Sequence, residues 1–226
     1  MGRATSKYLI GTRDESTKFH KSSSKAEVSQ QEDTGKFLSK NKTIALMIFA
    51  FIFYFTMAGI EHGFRSFTAV FSVNSELSLS RPEAADVLAT FYVAFAAVRG
   101  LLIPLSTLMT APTVLWSSSA VLLASTTLLS LWGQSSIEVL KTGVGLSGFG
   151  VGSMFAAGML WLKELVPINN KITAIICFAA RLSEQSYSMG IGYIIEDHPM
   201  YFMFVMSANI VTIIICLGGM KIVAHQ

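Results

Sequence analysis

The sequence predicts an all-α membrane protein with six transmembrane helices, and three observations support this fold class. Of the 226 residues, 52% are hydrophobic and only 14% are charged, whereas a soluble domain carries about 25% charged residues. The charge is also uneven, since residues 1–43 hold 14 of the 31 charged side chains. The remainder contains six long apolar segments. This composition excludes a soluble enzyme, a nucleic-acid-binding domain and a disulfide-stapled secreted module.

Each apolar segment is long enough to cross about 30 Å of hydrocarbon at about 1.5 Å per residue. The six segments are expected at residues 44–73, 85–108, 113–131, 137–161, 172–195 and 200–223. Lipid cannot pair backbone polar groups, so helices are the predicted form. The predicted organisation is a disordered cytosolic segment at 1–43, a six-helix transmembrane domain at 44–223 and a cytosolic tail at 224–226.

Lysine and arginine predict the orientation of the chain. With the N-terminus in the cytosol, the cytosolic segments carry 12 basic residues and the outer loops carry one, Arg81. Cytosolic loops of membrane proteins are enriched in Lys and Arg, so both termini are expected in the cytosol. The lipid bilayer is the expected environment. No basic patch with interleaved aromatic residues is present, so no nucleic-acid partner is expected.

Ionisable residues inside the predicted helices are the main functional signal, because each costs about 2.5–3.5 kcal/mol at the bilayer centre. Glu61 and Arg65 are four residues apart in the first helix and share a face, as Arg181 and Glu184 do in the fifth at a spacing of three. The candidate substrate-binding or ion-coupling residues are Glu61, Arg65, Arg99, Arg181, Glu184, Gln185 and Tyr187. A structural role is the alternative: an ion pair can hold two helices in register, and a long side chain can snorkel.

The fourth segment is rich in glycine, and close helix packing is the expected reason. Gly148 and Gly152 form a small-xxx-small pair that lets two backbones approach. Gly145-Leu146-Ser147-Gly148 also matches the GxSG motif of rhomboid intramembrane proteases. That chemistry needs a histidine base on the sixth helix, and the sixth segment contains none before His225.

No enzyme activity, catalytic residue, metal site or cofactor is therefore expected, apart from a coupling Na⁺ or H⁺. Cys177 and Cys216 both lie inside apolar runs. We interpret them as small buried hydrophobic residues and not as a disulfide or a metal site.

The order of these features resembles the carboxyl-terminal half of a major facilitator superfamily transporter, in the branch of fucose permeases and sodium-dependent glucose transporters. The segment around Ala58, Gly59 and Glu61 resembles the seventh helix of that family. The eighth, tenth and eleventh helices are matched by residues in the second, fourth and fifth segments. These are Tyr92, Phe95, Arg99, Pro104 and Ser106; Gly148, Gly150, Ser153 and Phe155; and Glu184, Gly190 and Gly192.

The resemblance implies half of a twelve-helix fold, in which substrate binds between two six-helix halves near the midplane. By resemblance, a sugar would contact Gln185, Tyr187 and Tyr92. Glu61 or Glu184 would couple Na⁺ or H⁺ in symport. The charge-compensating residues would be Arg65, Arg99 and Arg181. The implied location is the plasma membrane.

Three interpretations of the six-helix length stay open. The chain is a truncated form of a full transporter, it pairs with a second six-helix half or as a homodimer, or it has kept the fold and lost transport. The alternative function is therefore a non-transporting polytopic membrane protein that binds or regulates a partner.

Overall fold

The computed structural model describes residues 40–105 and 108–225, and all regular secondary structure within these ranges is α-helical. The all-α prediction with six helices is confirmed. The helices are α1 Lys40–Asn74, α2 Arg81–Leu105, α3 Ala111–Trp132, α4 Ile137–Leu165, α5 Asn170–Ile194 and α6 Met200–His225. Most of the predicted disordered segment 1–43 and the end of the tail 224–226 lie outside the described residues, as does Ser106.

Polar side chains form hydrogen bonds at the starts of two helices, in the predicted loops. Asn169 caps α5 by accepting a hydrogen bond from the Ile172 N–H at 3.0 Å. The Glu83 carboxylate accepts hydrogen bonds from the Ser80 N–H at 2.9 Å and the Ser80 hydroxyl at 2.7 Å. The Ile172 and Ser80 N–H groups are backbone donors that helical bonding leaves free. The apolar runs therefore set which segments are helical, and the polar connections set where the helices begin.

Five of the six described helices are long and apolar enough to cross a membrane. The exception is α5, whose 25 residues are sufficient in length. Its hydropathy is lower because charged and polar side chains occupy its middle. They are Arg181, Ser183, Glu184, Gln185, Ser186, Tyr187 and Ser188. Lipid alone is therefore a poor environment for the middle of α5.

Helices α1 and α4 lie at the centre of the bundle. Helix α1 contacts α2, α4, α5 and α6, and α4 also contacts α2 and α3. An aromatic cluster joins three helices on one side of α1: the Phe64 ring stacks on Phe91 of α2 at 6.0 Å and meets Phe202 of α6 edge-on at 5.6 Å. Helix α5 is peripheral, and Ile176, Ala179, Ser183 and Ile191 are its buried residues.

The glycines of α4 allow close packing, as the sequence predicts. A Cβ atom on Gly148 would collide with the Phe91 carbonyl of α2, and one on Gly152 would lie 2.5 Å from a Val98 methyl group. On the α3 side, two pairs of serine hydroxyls, Ser118–Ser153 and Ser125–Ser147, are each 2.5 Å apart. Small residues thus bring α2 and α3 against opposite sides of α4.

We expect Gly148→Ala to lower the free energy of unfolding by about 1–3 kcal/mol, because the new methyl group meets a backbone carbonyl that cannot move aside. Thermal unfolding in detergent measures the change. Gly145→Ala is the matched control on the same helix, since nothing lies within 4 Å of a Cβ atom there. Equal melting temperatures for the two variants would contradict this account of the α2–α4 contact.

Candidate functional site

A charged pair lies on α1 at the depth that the sequence predicts. The Arg65 guanidinium donates to the Glu61 carboxylate at 3.2 Å, one turn away, and the two side chains are 44% and 18% exposed. Tyr92 of α2 also interacts with the guanidinium of Arg65. Glu61 lies thirteen residues before the end of α1, or about 20 Å along the helix. The pair is therefore far from either end of the span.

A second charged pair lies on α5. The Arg181 guanidinium donates to the Glu184 carboxylate at 2.6 Å, and these side chains are 79% and 25% exposed. Glu184 lies ten residues before the end of α5, or about 15 Å along the helix. Both predicted ion pairs thus form, each within its own helix, so neither pair ties two helices together.

His62 makes the polar link between these two helices. Its Nε2 atom lies 2.7 Å from the hydroxyl oxygen of Ser188 in α5 and 3.4 Å from that of Ser66, one turn on in α1. The Ser188 hydroxyl also donates to the Glu184 carbonyl at 2.9 Å. A hydrogen-bonded path therefore runs from the backbone of α5 across to α1, beside the two charged pairs.

The two helices run in the same direction and meet through a glycine. A Cβ atom on Gly59 would lie 2.5 Å from the Tyr187 ring and 2.8 Å from the Ser183 hydroxyl oxygen. The Tyr187 hydroxyl donates a hydrogen bond to the side-chain oxygen of Asn209 in α6. Tyr187 therefore extends from α5 to contact both α1 and α6. It lies on a different face of α5 from Arg181 and Gln185.

Gln185 is exposed on α5. It lies four residues after Arg181 and therefore on the same side of the helix. Cys177 is also exposed, whereas Cys216 is buried. The prediction that both cysteines are buried is wrong for Cys177, because α5 packs mainly against α1 and leaves most of its surface uncovered.

Arg99 extends the polar surface along α2. It lies seven residues after Tyr92, which places it on the same face two turns away, about 10 Å along the helix. Its guanidinium carbon is 4.1 Å from the centre of the Phe95 ring, a cation–π contact. Arg99 lines a cavity of about 470 Å³ together with Gly152 and Phe155 of α4, within the size range of small-molecule sites.

These residues form what we call the polar face, on α1, α2 and α5. It consists of Glu61, His62, Arg65, Tyr92, Arg99, Arg181, Glu184, Gln185 and Ser188. Each carboxylate is matched by an arginine, so the pairs are neutral and Arg99 adds one positive charge. The face presents many hydrogen-bond donors and acceptors and suits a neutral or anionic polar ligand.

The functional roles of the predicted site residues remain predictions, but their positions are resolved. Sequence reasoning left His62 and Ser188 out of the site. Ser188 follows Glu184 by four residues, which was the available signal for a shared face. Ser147 of the GxSG motif is a packing residue: its hydroxyl donates to the Gly143 carbonyl at 3.1 Å and is buried against Ser125.

The fold and the polar face define a multi-pass integral membrane protein with ionisable residues in the middle of its helices. No family model matches the chain, and no solved structure gives a significant match. Curated proteins do match, and the resemblance to sodium-dependent glucose transporters that the sequence motifs indicate is confirmed.

Three relatives carry this similarity. The chain is 25% identical to sodium-dependent glucose transporter 1 of Xenopus laevis over 159 residues, which cover 70% of this chain and 32% of that protein. It is 27% identical to sodium-dependent glucose transporter 1 of Homo sapiens over 155 residues, covering 69% and 30%. It is 25% identical to sodium-dependent glucose transporter 1A of Mus musculus, covering 69% and 36%. The match thus spans about a third of each relative's length.

The position of Tyr187 predicts that it stabilises the fold more than Gln185 does. We expect Tyr187→Phe to lower the free energy of unfolding by about 1 kcal/mol, because the side-chain oxygen of the buried residue Asn209 loses its donor. Gln185→Ala, at an exposed position on the same helix, should leave it within about 0.5 kcal/mol of the wild type. Thermal unfolding in detergent compares the two variants, and an equal loss at both positions would refute the separation of roles.

Proposed function

We propose that this chain forms one half of a membrane transporter that moves a small polar solute, most simply a sugar, together with Na⁺ or H⁺. The observation that carries the proposal is the polar face, which leaves two ion pairs and a histidine uncovered about 15–20 Å from the helix ends. Ionisable groups at this depth mark substrate and ion pathways. A water-filled cavity between two halves would solvate them.

A sugar is the proposed substrate for two reasons. The curated relatives are named as glucose transporters. The polar face also offers the mixture that a polyhydroxyl ligand needs: amide and hydroxyl groups from Gln185, Ser188 and Tyr92, beside charged groups that are already paired. A neutral ligand can bind there without disturbing the charge balance.

Glu184 is the proposed coupling residue, with Glu61 as the second choice. A coupling site needs a carboxylate that alternates between its ion-bound and ion-free states. The Arg181 partner of Glu184 is 79% exposed, whereas the Arg65 partner of Glu61 is 44% exposed and also interacts with Tyr92. The α5 pair therefore opens with less disruption than the α1 pair.

The proposed orientation has both termini in the cytosol of a plasma-membrane protein. Helix directions alternate, so Lys42, Lys163, Lys171 and Lys221 belong to one end of the bundle. The opposite end carries two basic residues, Arg81 and Lys141, among the acidic residues Glu76, Glu83, Asp86, Glu138, Glu196 and Asp197. This asymmetry supports the assignment of the basic end to the cytosol.

Glu184→Gln should abolish gradient-driven sugar uptake while leaving expression and membrane insertion intact, because the amide keeps the size of the side chain but cannot exchange a cation. Uptake of radiolabelled glucose into proteoliposomes, with an imposed sodium or proton gradient, measures this effect. The protein is purified together with any partner that remains bound.

Glu164→Gln is the matched control, since Glu164 is exposed near the end of α4 and should not affect coupling. Undiminished gradient-driven uptake by Glu184→Gln would remove Glu184 from the coupling site. Loss of expression in that variant would instead support a structural role for the ion pair with Arg181.

A non-transporting protein that binds or regulates a partner is the second candidate function. The same uncovered polar face favours it, because a partner's polar helix could pair with these side chains. The uptake assay discriminates between the two functions. Absence of gradient-driven and passive sugar uptake in the purified assembly, with a stoichiometric partner present, would favour the binding function.

A second six-helix unit is the proposed partner, either another half or a second copy. We expect the purified protein to contain two such units. Only four residues of α5 are buried in the bundle, so its charged groups would face lipid in a monomer. Mass measurement in nanodiscs tests this. The Arg181→Leu/Glu184→Leu double variant should shift the mass toward the monomer, and Lys171→Gln should not. A wild-type monomer that takes up sugar would contradict the proposal.

A further inference from the structure

A second cavity lies at the basic end of the bundle, away from the polar face. It has a volume of about 630 Å³ and opens between the start of α3, the end of α4 and the end of α6. Its lining includes Thr113, Trp116 and Ser117 of α3, Trp161 of α4 and Lys221 of α6. None of these residues belongs to the polar face, so the cavity is a separate feature of the molecule.

The polar part of the cavity favours an anion. Lys221 contributes a positive charge in the last turns of α6. The beginning of α3 contributes the positive end of its helix dipole, while Pro112 in its first turn has no N–H to donate. The residue before α3, Thr110, makes no side-chain cap hydrogen bond, and its hydroxyl instead pairs with that of Thr113 at 2.8 Å. A bound anion would therefore receive donors from two helices.

The remaining walls favour hydrocarbon. Trp116 is 37% exposed and Trp161 is buried, and Leu165 and Ala224 complete the apolar lining. Tryptophan is enriched at the level of lipid headgroups, where its ring meets the acyl chains and its N–H meets water. The cavity thus combines one cationic side chain with an aromatic, apolar lining close to the ends of three helices.

We propose that this cavity binds an anionic phospholipid, with the phosphate and headgroup near Lys221 and the start of α3 and an acyl chain along the two tryptophans. A basic pocket between helix ends on the cytoplasmic side matches the general chemistry of anionic lipid recognition. The apolar walls distinguish this ligand from a soluble phosphate. The proposal does not depend on the transport function, since it involves different residues.

Fluorescence quenching by brominated lipid tests the proposal directly. The chain contains three tryptophans, Trp116, Trp132 and Trp161, and Trp132 ends α3 at the opposite side of the bundle. In a Trp132→Phe background the signal comes from the two cavity tryptophans. The protein is reconstituted in phosphatidylcholine with increasing fractions of brominated phosphatidylserine or brominated phosphatidylcholine. We expect phosphatidylserine to bind more tightly by about fivefold, the contribution of one lysine near an anionic lipid.

Lys221→Gln should remove this preference, and Lys221→Arg should keep it. Lys171→Gln is the matched control, because Lys171 is exposed at the same end of the bundle but does not line the cavity. Equal loss in the Lys171 and Lys221 variants would overturn the proposal in favour of general surface charge. So would equal quenching by the two lipids, or full displacement of the lipid by soluble glycerophosphoserine.

Discussion

The cost of placing charge in hydrocarbon is the constraint on which the rest of this structure depends. Both acidic side chains in the middle of the helices are paired with an arginine one turn away, at 3.2 Å and 2.6 Å. Neutralisation within a single helix lowers the cost of placing each carboxylate inside the membrane. The charged groups of α1 and α5 do not join these helices to each other. They therefore remain available to contact a polar ligand or a polar partner.

Helices α4 and α5 pack against the rest of the bundle in different ways. Helix α4 has fourteen buried residues and contacts its neighbours through glycine and serine, so its position is fixed by backbone-to-backbone approach. Helix α5 has four buried residues and is held by Gly59, by the His62–Ser188 contact and by the Tyr187–Asn209 hydrogen bond. A largely buried helix, α4, and a largely exposed helix, α5, therefore both contact α1.

The sequence was sufficient for the helices and for both ion pairs, because these depend on neighbours along the chain. Apolar runs and polar connections located all six helices, and spacings of three and four residues placed Arg181 with Glu184 and Glu61 with Arg65. It was not sufficient to predict the location of Tyr187 or the exposure of Cys177. Their environment depends on which helix packs against which face of α5, and no local pattern encodes that choice. The link from His62 to Ser188 was missed for the same reason.

The low hydropathy of α5 has a consequence for how the protein is made. Segments enter the bilayer in order of synthesis, and a helix with charged and polar side chains in its middle partitions poorly on its own. By the time α5 emerges, α1 is already in place and offers the surface beside Gly59. Insertion of α5 then depends on its packing against α1. A side chain at Gly59 would therefore interfere with insertion and leave α5 outside the membrane.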